Sequence, residues 1–266
     1  MAPRFASVLL GLLILLSGCR TVPHTGRSAL DLVPDDQLTA ASAQQFAQLK
    51  QTSTLSSDPE YNAMVQRVGQ RIAAVAGPDV PDADWEFIVI EDDDQVNAFA
   101  MPGGKVAVYT GLFKALKSDD DLAIVMGHEV GHVVAGHGGE RVSQQILASA
   151  GATAVQLGTG LSEMDSNDQQ LIMSAYGAGA TLGVLRPYSR LHESEADELG
   201  LMYAARAGYD PRKAIPFWQR MDALSPGAPP EFLSTHPSGS TRIENLQRLM
   251  PQAMEAYRAA TPAESP

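Results

Sequence analysis

The segment Gly127-His128-Glu129-Val130-Gly131-His132 sits inside a run, Leu122 to Ala135, that is apolar on almost every side. A helix that is apolar all round lies inside a protein. At about 3.6 residues per turn, His128 and His132 leave one face a turn apart. Three polar groups buried there without partners would cost several kcal/mol, on the order of 2–7 for each. A metal ion gripped by the two imidazoles removes that cost, and Zn²⁺ takes such ligands at about 2.0–2.1 Å. Glu129, on the neighbouring edge, then reaches a metal-bound water as its proton acceptor. Zinc lowers the pKa of that water from about 15.7 towards about 7, so hydroxide is available at neutral pH. The alternative, a chance match to a five-residue pattern, leaves all three groups stranded.

A third ligand is needed. The metzincin pattern requires histidine at position 138 and glycine at 135, where this chain has Gly138 and Ala135, so that class is excluded. A downstream carboxylate is offered by Glu193-Ser194-Glu195-Ala196-Asp197. Ala196, Gly200 and Tyr203 mark the inner face of that helix, and Glu193 lies on the stripe 193–196–200. Glu195 is turned away and is expected to be a solvated charge. Asp197, one turn from Glu193, is placed to accept a hydrogen bond from a ligand histidine. The expected site is one Zn²⁺ per chain on His128, His132 and Glu193, a ligand set that suits zinc without excluding other divalent metals.

Ser118 and Asp121 approximate a capping box, with Asp119 to Asp121 at the positive end of the helix dipole. Upstream, helical spacing runs from about Asp35 to Lys50 and from Asp58 to Ala76, the second stopped by Gly77-Pro78. Trp85 to Ile90, Val96 to Ala100 and Lys105 to Tyr109 read as strands, the last two joined by Pro102-Gly103-Gly104. Gly/Ala-rich helices over about 142–158 and 168–185 are each shorter than a membrane span and are read as soluble packing or a lid. Later helices cover about Glu193 to Ala207, Pro211 to Leu224 and Ser240 to Arg258. No internal repeat supports a solenoid. The expected fold is α+β and predominantly helical, a zincin-like domain over 35–258 with a small β-sheet beside the buried metal-binding helix. Residues 142–185 are its candidate lid and 259–266 a flexible tail.

Met1 to Arg4 followed by the apolar stretch Phe5 to Leu16 reads as a signal peptide, residues 1–18, too short to span a membrane as a mature helix. Leu16-Ser17-Gly18-Cys19 resembles the lipobox of bacterial lipoproteins, which implies cleavage before Cys19 and acylation of its sulfur and new amino group. Several acyl chains on one residue, palmitate among them, anchor stably where a single chain does not. Arg20, in place of aspartate, favours the outer membrane. Residues 20 to about 34 read as a tether. Cys19 is the one cysteine, so neither a disulfide nor another thiol nucleophile operates in the mature chain. A net charge of −12 and a pI near 4.8 repel phosphate backbones, so nucleic acid is not an expected partner.

The set of motifs resembles the HtpX-, Oma- and CAAX-endopeptidase-type zinc metallopeptidases, and within them the soluble periplasmic lipoprotein branch. The resemblance rests on Asn97 to Gly104, His128 to His132, Tyr188-Ser189-Arg190, Glu193 to Asp197, and Thr235-His236-Pro237-Ser238 with Arg242-Ile243. It covers about residues 25 to 250. In that family the first Glu of Glu-x-x-x-Asp is the ligand, in agreement with Glu193. The family's His-Pro segment returns near the metal, which implies that His236 binds zinc transiently or stabilises the oxyanion; by itself the segment reads equally as a surface turn. Arg242 is implied to orient the site, a purely structural ion pair being the alternative. The strand carrying Asn97, Ala98 and Phe99 is implied to edge the cleft and to pair with an extended substrate. His137, off the ligand face, reads as structural, and His24 and His192 receive no role.

The expected activity is that of an endopeptidase on unfolded or misassembled cell-envelope proteins, with Glu129 activating a zinc-bound water and passing its proton to the leaving amine. The reaction class follows from the residues. The substrates, and a location on the periplasmic face of the outer membrane, follow from the resemblance and the N-terminus. The alternative is a chaperone-like lipoprotein that works with the outer-membrane assembly machinery and is latched, with low proteolysis. A structural protein with a decayed site is disfavoured by the complete set His128, Glu129, His132 and Glu193.

Overall fold

In the computed structural model, which describes residues 18–161, 164–180, 186–223, 232, 236 and 241–261, the chain opens on ordered pairing where a tether is expected. Cys19–Thr21 (β1) and Ser28–Leu30 (β2) form an antiparallel hairpin, Cys19 opposite Leu30 and Thr21 opposite Ser28. Val22 and Ala29 are buried. Arg20 Nη2 donates to the Val134 carbonyl at 2.7 Å, and the Leu32 amide donates to Ser143 Oγ at 2.9 Å. Part of the segment's polarity thus serves the core, while Thr21, His24 and Ser28 remain exposed. The expected signal peptide, apart from Gly18, lies outside the described residues.

Helices α1 (Asp35–Thr52) and α2 (Pro59–Ala76) follow. Asp58 caps α2 by accepting from the amides of Glu60 and Tyr61 at 2.8 and 3.1 Å. Val65, Val68 and Ile72, three and four residues apart, give α2 its buried stripe. Strands β3 (Glu86–Ile90), β4 (Ala98–Met101) and β5 (Lys105–Tyr109) form a sheet of order β3-β5-β4, parallel between β3 and β5 and antiparallel between β4 and β5. Gly103 and Gly104, at φ +82° and +84°, make the tight β4–β5 turn. Strand β4 is therefore an edge among the described residues.

Helix α3 (Asp119–Ala135) carries the two histidines. Ser118 Oγ accepts from the Asp121 amide, but the reciprocal half of the expected capping box is absent. The Asp121 carboxylate accepts instead from the Lys117 amide at 2.8 Å and pairs with Arg220. After α3 come α4 (His137–Gly160), α5 (Ser166–Ala180), α6 (Arg186–Arg206), α7 (Ala214–Ala223) and α8 (Arg242–Ala260). Helix α6 is already helical from Arg186, upstream of the expected Glu193. Among the described elements, α3 packs most extensively on α6. A Cβ on Gly127 would lie 2.6 Å from the Gly200 carbonyl, and one on Gly131 would lie 2.8 Å from that of Ala196. The two helices touch backbone to backbone.

Helices α4 and α5 pack together, Tyr176 donating to the Ala148 carbonyl at 2.9 Å. They leave Ile146, Leu147, Leu157 and Leu171 exposed. No helix among the described residues is long and apolar enough to cross a membrane. Residues 181–185 of the candidate lid, the Tyr188 side chain, Thr235, Pro237, Ser238 and residues 262–266 lie outside what is described. The architecture is the expected one: a predominantly helical, zincin-like α+β fold with a small sheet beside α3.

Candidate metal centre

Because α3 and α6 approach at glycines, the inner face of α6 reaches the histidine face of α3. His128, His132 and Glu193 meet there, all buried. His236 joins them, its amide donating to the Phe232 carbonyl at 2.8 Å and its ring stacked on Phe232. One ligand atom from each of His128, His132, Glu193 and His236 lies within 4.8 Å of all the others. His128 Nε2 is 3.1 Å from His132 Nε2, 3.2 Å from Glu193 Oε2 and 3.3 Å from His236 Nδ1. Glu193 Oε1 is 3.5 Å from His132 Nε2, and Glu193 Oε2 is 3.2 Å from His236 Nδ1. Four donors around a tetrahedral zinc, each at about 2.0–2.1 Å, stand about 3.3 Å apart. The spacing fits that ion.

The hydrogen positions implied by the partners give an independent test of fit. Asp197 Oδ1 lies 2.9 Å from His128 Nδ1, which places that ring's hydrogen on Nδ1. His132 Nδ1 faces His137 Nδ1 at 2.8 Å, and His137 Nε2 faces Glu195 Oε2 at 2.9 Å. A carboxylate only accepts, so His137 donates from Nε2, its Nδ1 is bare, and His132 donates from Nδ1. Both Nε2 atoms then carry lone pairs and face each other at 3.1 Å. That contact is repulsive unless a proton or cation lies between them. Burial alone would lower the His128 pKa, but hydrogen bonds and charge from Asp197 and Glu193 overcome it and raise the value to about 9. His132 is held well below the usual range by burial and by the charge on His128. Burial would raise the Glu193 pKa, yet His128 and His236 pull it far below the carboxylate range. The cluster demands one concentrated positive charge.

The support behind the donors is only partly what the sequence led one to expect. Asp197 faces His128 Nδ1, and Arg242 Nε lies 2.7 Å from Asp197 Oδ2. Arg242 Nη2 also reaches Glu193 Oε2 at 3.4 Å, and its guanidinium lies over the Trp218 ring at 4.1 Å. Glu195 corrects the expectation of a solvated charge: it is buried, accepting from Thr25, Arg27 and His137. His137 is in direct contact with His132, and His192 is buried against Glu140. His24, also left without a role, pairs with Asp79 at 2.8 Å. The signal that was missed is the polar pair Thr25 and Arg27, placed in a stretch read as solvated.

Glu129 stands beside these donors at the wall of a cavity of about 570 Å³, a size usual for ligand pockets. Its Oε1 is buried and has no hydrogen-bond partner among the described residues, with His236 Nε2 at 3.6 Å. Burial raises its pKa, opposed by the charges of His236 and His128. Asn97, Ala98 and Phe99 line the same cavity, so the sequence-predicted substrate strand and Glu129 share one cleft. Helix α4 contributes its first turn, including His137 and Arg141.

Comparison with known proteins agrees with this geometry. A model of the family described as Peptidase family M48 matches residues 59–250. The Schizosaccharomyces pombe protein named mitochondrial metalloendopeptidase OMA1 is 37% identical over 191 residues, 71% of this chain and 53% of that protein. Human metalloendopeptidase OMA1 is 32% identical over 246 residues, 88% of this chain and 46% of its own length. The Yersinia pestis beta-barrel assembly-enhancing protease is 29% identical over 229 residues, 85% and 46% of the two chains. The chain spans about half the length of these curated relatives.

Proposed function

The chain belongs to peptidase family M48, and we propose that it is a zinc-dependent endopeptidase of the cell envelope. One observation carries the reading: four buried donors lie within 4.8 Å of one another, and two of them, His132 and His236, line a cleft with Glu129, whose Oε1 has no hydrogen-bond partner among the described residues. His128, His132 and Glu193 hold the ion. Zinc, when bound, supplies Lewis-acid polarisation of the scissile carbonyl and acidifies a water. Glu129 accepts a proton from the attacking water. The water oxygen bonds to the carbonyl carbon, the carbon–nitrogen bond breaks, and Glu129 delivers the proton to the leaving amine. Its burial-raised pKa suits a group that must both take and give that proton. Asp197, itself bonded to Arg242, keeps His128 in the tautomer that leaves Nε2 for the metal.

Strand β4 is an edge beside the cleft, and an extended substrate adds to it along Asn97, Ala98 and Phe99. Only an unpaired, extended segment fits that mode, which favours unfolded or misassembled envelope proteins as substrates. The lipobox-like residues 16–19 and the exposed Cys19 support a lipid anchor on the periplasmic face of the outer membrane. The bacterial relative's name, beta-barrel assembly-enhancing protease, supports the same compartment. Residues 35–258 form the catalytic domain on this reading, with 142–185 as its lid.

A second reading, a chaperone-like lipoprotein with latched proteolysis, is favoured by one feature. His236 supplies the fourth donor that a catalytic zinc leaves to water or substrate. The test is cleavage of a loosely folded model protein by the mature chain, beside Glu129→Gln at matched metal content. Cleavage that chelator stops, and that falls about 10²–10⁴-fold in the variant, is expected. Two inert proteins with one zinc each would select the latched reading.

A further inference from the structure

Behind His132, on the side away from Glu193, lies a second buried group of ionisable side chains: Glu140, Glu195, His137 and His192, joined by Arg27. Arg27 Nη1 and Nη2 donate to the two oxygens of Glu140 at 3.0 and 2.8 Å, and Nε donates to Glu195 Oε2 at 2.9 Å. Thr25 donates to the other oxygen of Glu195 at 2.5 Å. One guanidinium thus bridges two carboxylates that would otherwise repel each other out of water. Each carboxylate takes one imidazole, Glu140 that of His192 and Glu195 that of His137, both at 2.9 Å, and the two rings stack at 4.1 Å.

The hydrogens in this chain run in one direction. Glu195 can only accept, so His137 Nε2 donates to it and His137 Nδ1 is left as an acceptor. His132 Nδ1, 2.8 Å away, must donate, and His132 Nε2 keeps its lone pair towards His128 and Glu193. In the other tautomer His132 would turn an N–H on the metal position and a lone pair on that of His137. His128 is backed by a shorter chain of the same kind, Asp197 held by Arg242.

We infer that Arg27, on the β1–β2 hairpin, is a positioning residue for the metal: through Glu195 and His137 it fixes the nitrogen that His132 presents. The inference rests on the zinc-site reading above. It makes the N-terminal hairpin, which precedes the stretch matched by the family model, part of the metal site. The polar character of Thr25 and Arg27 follows, since these half-buried side chains complete the buried network.

The experiment is zinc affinity of the mature chain by competition with a chromophoric chelator, with melting of the metal-free protein measured alongside. Glu195→Gln keeps size but lets an amide N–H turn on His137. Arg27→Lys keeps charge but loses the planar fork that holds both oxygens of Glu140 while Nε donates to Glu195. Zinc affinity is expected to fall about 10–100-fold in each, the range for groups that orient a metal-ligating histidine. His132→Ala is the reference and is expected to lose zinc. Wild-type affinity in Glu195→Gln and Arg27→Lys, with zinc lost in His132→Ala, overturns this inference and leaves the zinc site standing. A lower metal-free melting temperature with wild-type affinity overturns it as well, by making the network merely structural. Unchanged affinity in His132→Ala overturns the zinc-site reading, and this inference with it. Should Glu195→Gln fail to fold, Arg27→Lys at the part-exposed end of the chain decides alone.

Discussion

A methyl group on Gly200 would lie 2.5 Å from the backbone nitrogen of His128 and 2.7 Å from its Cα. The helix that brings Glu193 is therefore seated on the helix that brings both histidines with no room for a side chain. Gly200→Ala is expected to cost about 1–3 kcal/mol, as overpacking does, seen as a lower urea midpoint at unchanged slope. Gly158 of α4 has no described atom within 4 Å of where its Cβ would stand, and alanine there is expected to stabilise by about 0.5–1 kcal/mol. Equal effects at the two positions would rule out the close approach as what seats α6.

Removing the metal should unseat more than activity. The two Nε2 atoms at 3.1 Å, together with Glu193, are stabilised by an ion that the unfolded chain binds poorly. Linkage then gives about 2.7 kcal/mol of stability at a hundredfold excess of zinc over its dissociation constant, and about 4.1 at a thousandfold. The melting temperature should climb with free zinc and drop with chelator. Indifference to both would contradict a site built from these donors.

Much of this was legible in advance, and the failures share a cause. His128 and His132 were readable because an apolar helix cannot bury such groups unaided. Glu193 was readable because its stripe with Ala196 and Gly200 does face α3. Glu195 was misread because the opposite face was assumed to meet water, whereas the β1–β2 hairpin covers it with Thr25 and Arg27. His137 is outside the donor group, as expected, but its contact with His132 is not readable from a helix angle carried through position 136. Gly136 adopts φ +68°, ends α3 and starts α4 in a new direction, so the angle does not carry across. Periodicity reports on one element at a time. A buried network drawn from three elements leaves no periodic trace.

Acid should loosen the hairpin. Burial alone would raise the Glu140 pKa, but hydrogen bonds and charge from His192 and Arg27 bring it down to about 2. Glu195 also lies at about 2, burial being overcome by His137, Arg27 and Thr25. An unfolded glutamate titrates at about 4.3. Between these values the unfolded chain binds more protons, so the stability these carboxylates confer is complete above about pH 4.3 and lost as pH falls towards 2. Urea titrations at a series of acid pH values should show that slope in wild type and a shallower one in Arg27→Gln. Parallel slopes would mean the guanidinium does not hold the two acids.

His236 holds a position that a working peptidase has to clear. Its Nδ1 lies 3.3 Å from His128 Nε2 and 3.2 Å from Glu193 Oε2, while its Nε2 stands 3.6 Å from Glu129 Oε1. Three donors remain without it, enough for a catalytic zinc, whereas four protein donors make the closed set usual in structural sites. His236→Ala is therefore expected to keep zinc and to raise turnover of a loosely folded substrate, because the fraction of molecules with an open position grows. A fall of about 10²–10³-fold in kcat at full zinc content would instead assign His236 to the oxyanion, the loss usual when one such donor is removed. Unaltered kinetics would exclude it from both roles and leave its ring as packing against Phe232.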